Sequence, residues 1–285
     1  MYNFDFQRPA SVDEAVKQLR AGNDAKLLAG GQTLLPTMKQ RLAAPKILVD
    51  LGAISGLSSI DHKGGSLVMG KAPTGGDTMV LRGGELAIGA LARHADVADS
   101  LDVQGAIPAL ASLAAGIGDP AVRNRGTIGG SIANNDPAAD YPAACLALGA
   151  TILTNKREIA VDRFFTGLFE TALEADEIIL RVVFPSPGRA AYAKFRNPAS
   201  RYAIVGVFVA ERRGEVRVAV TGAGQSGVFR VPEMEKALGN RFSPDAIANV
   251  KIDAANLISD IHAAADYRAH LVGVMARRAV RTAAG

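Results

Sequence analysis

Two glycine-rich segments contain the residues best suited to ligand binding in this sequence. Residues 29–33 read Ala-Gly-Gly-Gln-Thr, and residues 127–131 read Thr-Ile-Gly-Gly-Ser. Glycine lets a ligand approach the backbone closely, and amide groups at the start of a helix attract anions. Each segment could therefore bind a diphosphate, although a glycine pair is more often only a turn between a strand and a helix. Neither segment has the Gly-Lys-Ser/Thr ending of a P-loop.

A third glycine pattern occurs late in the chain. Residues 222–227 read Gly-Ala-Gly-Gln-Ser-Gly after a credible strand, and Asp245 follows at about the distance of a ribose-binding acid. However, residues 228–231 read Val-Phe-Arg-Val where a phosphate-binding helix should start, and no second parallel strand completes the unit. We therefore interpret this pattern as a turn before a helix that begins near Pro232.

The remaining reactive side chains do not form a recognisable catalytic or metal-binding pattern. The single cysteine, Cys145, cannot form an intrachain disulfide or supply the several thiolates of an iron–sulfur or zinc cluster. It lies in an apolar run and is expected to be a small core residue. None of the four histidines has the spacing of a metal site: His62, His94, His262 and His270. Any metal cluster is therefore expected on another chain.

Composition excludes several classes of protein. The chain has 285 residues, of which 48% are hydrophobic and 21% charged, so a disordered chain is not expected. Its net charge of only +4 does not predict a nucleic-acid partner. The first residues lack a signal peptide, and no apolar run approaches the roughly 18 residues of a transmembrane helix. We expect a cytoplasmic protein without a transmembrane segment.

Local patterns place the first glycine segment in a small α/β unit. Residues 11–14 read Ser-Val-Asp-Glu, a capping box, and the apolar stripe that follows stops at Gly22. A strand is predicted over 26–29, where it runs into the first glycine segment. A helix is then predicted over 34–42 and a second strand over 47–49.

From about residue 57 the pattern changes to short strands punctuated by glycine. The motif Gly-Gly-x-Leu-x-x-Gly occurs at residues 64–70 and again at 83–89. A helix predicted over 106–116 precedes the second glycine segment. Residues 185–188 read Pro-Ser-Pro-Gly and mark a boundary or a surface turn. Beyond it we predict strands over 202–210 and 216–221 and closing helices, the last with an apolar face of Tyr267, Leu271, Val274 and Met275.

Three segments together resemble a known family. Residues 28–36 read LAGGQTLLP, residues 118–131 read GDPAVRNRGTIGGS and residues 134–142 read NNDPAADYP. In this order they are similar to the flavoprotein (medium) subunits of molybdenum hydroxylases, the family of carbon monoxide dehydrogenase and xanthine dehydrogenase. The resemblance extends over essentially the whole chain. Because such chains usually have one Gly-Gly-x-Leu-x-x-Gly strand, one of the two copies here resembles an inserted hairpin.

The resemblance implies both fold and cofactor. It implies an α+β protein with the FAD-binding fold of the vanillyl-alcohol oxidase and CO dehydrogenase flavoprotein type. The expected units are an N-terminal α/β domain over 1–56, a middle α+β domain over 57–175 and a C-terminal α+β domain over 176–285. FAD is expected between the first two domains.

The same resemblance implies which residues contact FAD. The two glycine segments would hold the diphosphate through amides and hydroxyls, and Asp140 would lie on the ribityl side. Lys194 would lie near the isoalloxazine ring, where a cation favours the anionic reduced form, and Ile179 would be an apolar contact to the ring. The full expected set is Leu28, Ala29, Gly30, Gly31, Gln32, Thr33, Leu34, Leu35, Gly118, Thr127, Ile128, Gly129, Gly130, Ser131, Asp140, Ile179 and Lys194.

In function, the resemblance implies an electron-transfer subunit. FAD would receive electrons from [2Fe-2S] clusters on an iron–sulfur small subunit, after the molybdenum cofactor of a large subunit has oxidised the substrate. An external acceptor would then take them, and a dimer of heterotrimers is expected. Two alternatives are a free-standing FAD-dependent oxidoreductase of the same fold and a non-catalytic module that binds no flavin.

Overall fold

The N-terminal residues form a small parallel sheet with two helices. A computed structural model of the chain describes residues 1–22, 24–71 and 77–285, with the backbone alone for 67–71 and 77–82. The elements are β1 (Asp5–Gln7), α1 (Val12–Ala21), β2 (Ala25–Leu28), α2 (Leu34–Lys39) and β3 (Ile47–Asp50), with strand order β1-β3-β2. Helix α1 has its predicted cap, because Ser11 Oγ accepts a hydrogen bond of 3.2 Å from the Glu14 amide. Helix α2 ends before the predicted residue 42, since Arg41 adopts a left-handed φ of 62°.

The middle of the chain forms a five-stranded sheet flanked by helices. This part of the chain contains β4 (Ile60–Lys63), β5 (Ser66–Lys71), β6 (Asp77–Arg82), β7 (Glu85–Gly89), β8 (Thr151–Thr154), β9 (Glu158–Ala160), β10 (Phe165–Gly167), β11 (Glu170–Thr171) and β12 (Ile179–Pro185). Strands β10 and β11 form a separate two-stranded sheet, as do β5 and β6. Its helices are α3 (His94–Asp99), α4 (Leu101–Ala106), α5 (Pro108–Ala115), α6 (Pro120–Arg123), α7 (Ile128–Asn134) and α8 (Tyr141–Leu148). The sheet order is β4-β7-β12-β8-β9.

The two Gly-Gly-x-Leu-x-x-Gly copies lie in different sheets. Strands β5 and β6 pair only with each other in a separate antiparallel hairpin, whereas β7 lies inside the five-stranded sheet. The first copy therefore belongs to this hairpin and the second to the main sheet, and the expectation that the hairpin is an insertion stays a prediction. Residues 72–76 lie outside the described residues.

Strand pairing corrects the predicted boundary at residue 175. Strand β12 lies between β7 and β8, and Val182 is paired with Ile88 on one side and Ile152 on the other. A division at 175 would separate this central strand from its sheet, which depends on those hydrogen bonds. We therefore place the boundary in the turn after Pro185. The predicted core position of Cys145 is observed, and burial raises the pKa of its thiol.

The C-terminal residues form an antiparallel sheet packed on a long helix. The elements are β13 (Arg189–Arg196), β14 (Ala203–Arg212), β15 (Glu215–Thr221), β16 (Phe229–Arg230), α9 (Pro232–Asn240) and α10 (Ala265–Ala284). The pattern at 222–227 is a turn and a helix begins at Pro232, as predicted. The apolar face of α10 differs slightly from the prediction, since Leu271 and Met275 are buried but Tyr267 is 45% exposed.

The described residues form three clusters of buried apolar side chains, and the cluster of the middle part also includes Phe208, Ala210 and Ala219 of the C-terminal sheet. No helix in that part of the chain combines the length and apolarity needed to cross a bilayer. In the C-terminal cluster the charged Arg268 is only 3% exposed, and its guanidinium donates to the Ile204 and Gly222 carbonyls and to Asp260. Arg268 therefore joins α10 to the ends of β14 and β15.

We expect Arg268→Met to lower the free energy of unfolding by about 3 kcal/mol, because two core carbonyls and Asp260 lose their donor. Urea denaturation of the full chain measures this change. Arg278→Met in the same helix is the control, since Arg278 is exposed and its loss should change stability by less than about 0.5 kcal/mol. Equal effects of the two substitutions would contradict the assigned role of Arg268.

Candidate functional site

A cavity of about 580 Å³ lies where the N-terminal sheet, the middle domain and the loop after β13 meet. Its size is in the range of small-molecule and cofactor sites. The predicted contacts in its wall are Leu28, Ala29, Gly30, Gly31, Gln32, Thr33, Leu34, Gly118, Thr127, Gly129, Gly130, Ser131, Asp140 and Ile179. Leu35, Ile128 and Lys194 are not part of this wall. The fold thus brings together residues that are separated by about 150 positions in the chain.

The first glycine segment presents a run of unpaired backbone donors. No described residue accepts a hydrogen bond from the amides of residues 30–34. Gly31 adopts a left-handed φ of 72°, which glycine tolerates, and residues 30–34 all line the cavity. Leu35 folds back over Gly31, where a Cβ atom would lie 2.8 Å from Leu35 Cδ1. A concave run of free N–H groups of this kind is suited to a phosphate or diphosphate.

The second glycine segment differs from the prediction, because its amides are already engaged. The Ile128 and Gly129 amides donate to the Ala92 and Ala90 carbonyls at 3.1 and 2.9 Å. The Gly130 amide donates to Thr127 Oγ1 at 3.2 Å, and the Ser131 amide donates to the Thr127 carbonyl. This segment therefore contributes the Ser131 hydroxyl and the surface of its glycines to the cavity wall. The side chain of Ile128 points into the core, which explains its absence from the wall.

The two glycine segments are held together by direct backbone packing. A Cβ atom on Gly30 would lie 2.0 Å from the Arg125 carbonyl oxygen and 2.8 Å from Gly126 Cα. Such distances are impossible for real atoms, so only glycine permits this approach. Similarly, a Cβ atom on Gly129 would lie 2.6 Å from the Cβ atom and the carbonyl oxygen of Ala90. The glycines therefore determine how closely the N-terminal unit meets the middle one.

Asp140 lines the cavity and Lys194 lies behind it. Lys194 Nζ is 2.9 Å from Asp140 Oδ2 and donates to the Gly116 carbonyl at 3.0 Å, while the Tyr192 hydroxyl donates to Asp140 Oδ1. Burial raises the pKa of the Asp140 carboxyl, and Lys194 and Tyr192 oppose this rise. Lys194 therefore reaches the cavity through Asp140, and its predicted position near the ring stays a prediction.

Several polar residues of the cavity wall were not predicted from the sequence: His94, Asp136, Glu177, Arg201 and Tyr202. Asp136 lies inside a segment that carried the family resemblance, so that segment was the available signal. The other four lie outside the three segments that carried the resemblance and enter the wall through tertiary packing. Within the described ranges, no group of three His, Cys, Asp or Glu side chains is placed to hold a metal ion.

Glu177 fixes the wall that contains Ile178 and Ile179. Its buried carboxylate accepts hydrogen bonds from Thr154 Oγ1 at 2.7 Å, from the Arg157 guanidinium at 3.0 Å and from the Glu174 amide at 3.0 Å. Burial alone would raise the pKa of Glu177, but these donors outweigh it and lower the pKa to about 2, from an ordinary value of 4.5. Nearby, Asp176 pairs with Arg20 of α1, which ties this wall to the N-terminal unit.

Because the pKa of Glu177 is lower in the folded chain, its ionised form stabilises the fold above about pH 4.5, and this contribution is lost as the pH falls towards about 2. We expect Glu177→Gln to lower the free energy of unfolding at neutral pH by about 2 kcal/mol. In this variant the free energy of unfolding should also fall less steeply as the pH is lowered, because the titrating carboxylate is gone. Urea denaturation at a series of pH values measures both. The control is Glu174→Gln, since that side chain is 57% exposed and should have little effect. An unchanged acid profile in Glu177→Gln would contradict this assignment.

The chain is similar to known proteins along nearly its whole length. The family described as the FAD binding domain in molybdopterin dehydrogenase matches residues 2–187. The nicotine 6-hydroxylase medium subunit of Paenarthrobacter nicotinovorans is 34% identical, over 96% of this chain and 95% of its own length. The carbon monoxide dehydrogenase medium chain of Hydrogenophaga pseudoflava is 33% identical, over 98% of this chain and 96% of its own.

Solved structures show the same fold. A chain of carbon monoxide dehydrogenase from Hydrogenophaga pseudoflava superposes with a TM-score of 0.82 at 31% identity, covering 99% of this chain and 97% of that one. A chain of quinoline 2-oxidoreductase from Pseudomonas putida 86 gives 0.84 at 28% identity, covering 99% and 96%. The predicted α+β fold of the CO dehydrogenase flavoprotein type is confirmed. The chain belongs to the family of FAD-binding domains of molybdopterin dehydrogenases and is an FAD-binding medium subunit of an oxidoreductase of the molybdenum hydroxylase type.

Proposed function

We propose that this chain binds FAD in the cavity described above and passes electrons from iron–sulfur clusters of a partner subunit to an external acceptor. The observation that carries the proposal is the run of unpaired amides at residues 30–34, which border a cavity of cofactor size. When bound, FAD supplies the redox chemistry, because no side chain of the protein exchanges electrons in this way. The protein contributes binding, orientation and a controlled electrostatic environment.

The residues present fit the chemical parts of FAD. The free amides of residues 30–34 would hold the diphosphate, and the Ser131 hydroxyl would add a donor or acceptor from the facing segment. Asp140 would accept hydrogen bonds from the hydroxyl groups of the ribityl chain, since a carboxylate would repel the diphosphate. Ile179, which is almost completely buried in the wall, would pack against the apolar surface of the ring.

In this proposal Lys194 acts on the cofactor mainly through Asp140. Its ammonium group compensates the negative charge of a carboxylate that the fold has removed from water, and the Tyr192 hydroxyl fixes the orientation of that carboxylate. The positive charge of Lys194 also contributes to the potential at the ring, although it lies behind the wall. We therefore keep the proposal that Lys194 favours the anionic reduced flavin, but the effect is transmitted through Asp140 and not by direct contact with the ring.

The partners follow from what this chain lacks. Cys145 is the one cysteine of the sequence, so the thiolate ligands of iron–sulfur clusters must come from elsewhere. Relatives are named as medium subunits or medium chains, which fits a complex with a small iron–sulfur subunit and a large molybdenum subunit. A dimer of heterotrimers in the cytoplasm is the assembly and location that we propose.

We expect Gly30→Ala to reduce the affinity for FAD at least tenfold, which corresponds to about 1.4 kcal/mol. The added Cβ would collide with the Arg125 carbonyl and separate the two glycine segments that border the diphosphate position. Flavin fluorescence titration of the full chain measures the dissociation constant. The matched control is Gly239→Ala in α9, where a Cβ would meet nothing within 4 Å. Equal affinities of the two variants would contradict the assigned diphosphate site.

The electron-transfer role is tested on the complex. We expect native purification, or co-expression with neighbouring genes, to recover FAD with a cysteine-rich iron–sulfur polypeptide and a larger molybdenum polypeptide. Substrate should bleach the flavin absorbance only when all three polypeptides are present. A solitary chain that binds FAD and turns over a substrate would favour the free-standing oxidoreductase, and a colourless chain would contradict both.

A further inference from the structure

His94 is a buried polar side chain in the cavity wall for which the fold provides no hydrogen bond. His94 is 5% exposed and lines the cavity. The Nδ1 atom is completely buried and has no partner within hydrogen-bonding distance. Among the described residues, neither ring nitrogen takes part in a hydrogen bond. Buried polar groups without partners are rare in native proteins and mark places where a ligand or a functional constraint acts.

The backbone holds this ring beside the two glycine segments. The His94 amide donates to the Gly126 carbonyl at 2.9 Å, and the preceding Arg93 forms a β-bridge with Thr127. A Cβ atom on Gly126 would lie 2.6 Å from His94 Nε2, while Gly126 Cα itself packs against Gly30. One residue therefore separates the imidazole from the loop whose amides are unpaired. This position is adjacent to the proposed diphosphate site.

The imidazole is neutral at neutral pH. Burial, assisted by the nearby charge of Arg123, lowers the pKa of His94 to about 4. A neutral imidazole has one N–H donor and one nitrogen acceptor, and it can pair with a hydroxyl or a ring nitrogen without adding charge. The ligand chemistry that suits it is therefore a polar uncharged group.

Tyr141 provides an internal comparison. Its ring packs on His94 with the centroids 5.4 Å apart, and its hydroxyl is also buried without a partner. However, Tyr141 is not part of the cavity wall. Nδ1 of His94 and the Tyr141 hydroxyl are thus both completely buried, and of the two side chains only His94, through its other ring nitrogen, can reach a ligand in the cavity.

We propose that His94 is a further FAD-binding residue, whose neutral imidazole forms a hydrogen bond with an uncharged polar group of the cofactor next to the diphosphate. The inference rests on the proposed placement of FAD in this cavity. The hydrogen bond is assigned to Nε2, the ring nitrogen beside Gly126, because Nδ1 is completely buried and a ligand in the cavity does not reach it. His94 binds and orients the cofactor and takes no part in electron transfer.

The test compares His94→Phe with Tyr141→Phe in the full chain, measuring FAD affinity by fluorescence titration and the melting temperature of the FAD-free protein. Phenylalanine keeps the ring shape and removes the unpaired polar atoms, so both FAD-free variants should melt at or above the wild-type temperature. FAD affinity should fall about tenfold in His94→Phe and stay within about twofold in Tyr141→Phe. Unchanged FAD affinity in His94→Phe would overturn the inference.

A second variant separates a lost hydrogen bond from a damaged fold. His94→Gln restores a neutral donor and acceptor, so its FAD affinity should exceed that of His94→Phe and approach the wild-type value. If His94→Gln binds FAD as weakly as His94→Phe, the hydrogen bond is not the cause and the inference is wrong. A wild-type chain that binds no FAD would instead contradict the proposed function, so the two failures are distinguishable.

Discussion

Gly30 lies so close to the Arg125 carbonyl that a Cβ atom on Gly30 would be 2.0 Å from the carbonyl oxygen, so only glycine fits at this position. This contact brings the loop of the N-terminal unit against the loop of the middle unit, and it leaves the amides of residues 30–34 without partners at the edge of a cavity. Leaving these N–H groups without acceptors costs free energy of folding, and a bound ligand that accepts their hydrogen bonds would recover it. In the proposed function these backbone amides would bind the diphosphate, and no lysine clamp would be needed.

Two buried ionic groups hold the remaining walls of the cavity. Glu177, paired with Arg157, fixes the segment that presents Ile178 and Ile179. Asp140, paired with Lys194, fixes the wall between α8 and β13. In each case one partner comes from the middle unit, and in the second the other partner comes from the C-terminal sheet. A charge that is buried with matched donors keeps a single orientation, which is what a cofactor of defined position requires.

These features agree with a protein that positions a cofactor and leaves the substrate chemistry to its partners. The chain supplies free amides, an oriented carboxylate, apolar surface and a neutral imidazole. It supplies one buried cysteine, whose thiol burial keeps protonated. Its membership of the molybdopterin dehydrogenase family provides the context, since the medium subunits of that family are FAD-binding components of larger enzymes.

The sequence by itself determined the features that depend on neighbouring residues. The N-cap at Ser11, the strands around the first glycine segment, the turn before Pro232 and the family motifs were predicted correctly, because caps, turns and periodicity are local. The reciprocal half of the predicted capping box is not formed, since the Glu14 carboxylate accepts from the Ala10 amide. Only the tertiary structure decided which groups were already paired. The Ile128 and Gly129 amides donate to the carbonyls of Ala92 and Ala90, β12 belongs to the middle sheet, and Lys194 lies behind an aspartate 54 positions away. His94 and Glu177 likewise enter the cavity wall through contacts distant in sequence. Hydrogen bonds between residues that are far apart in the sequence produce no periodic pattern in it. Their partners can therefore be identified only in the folded chain.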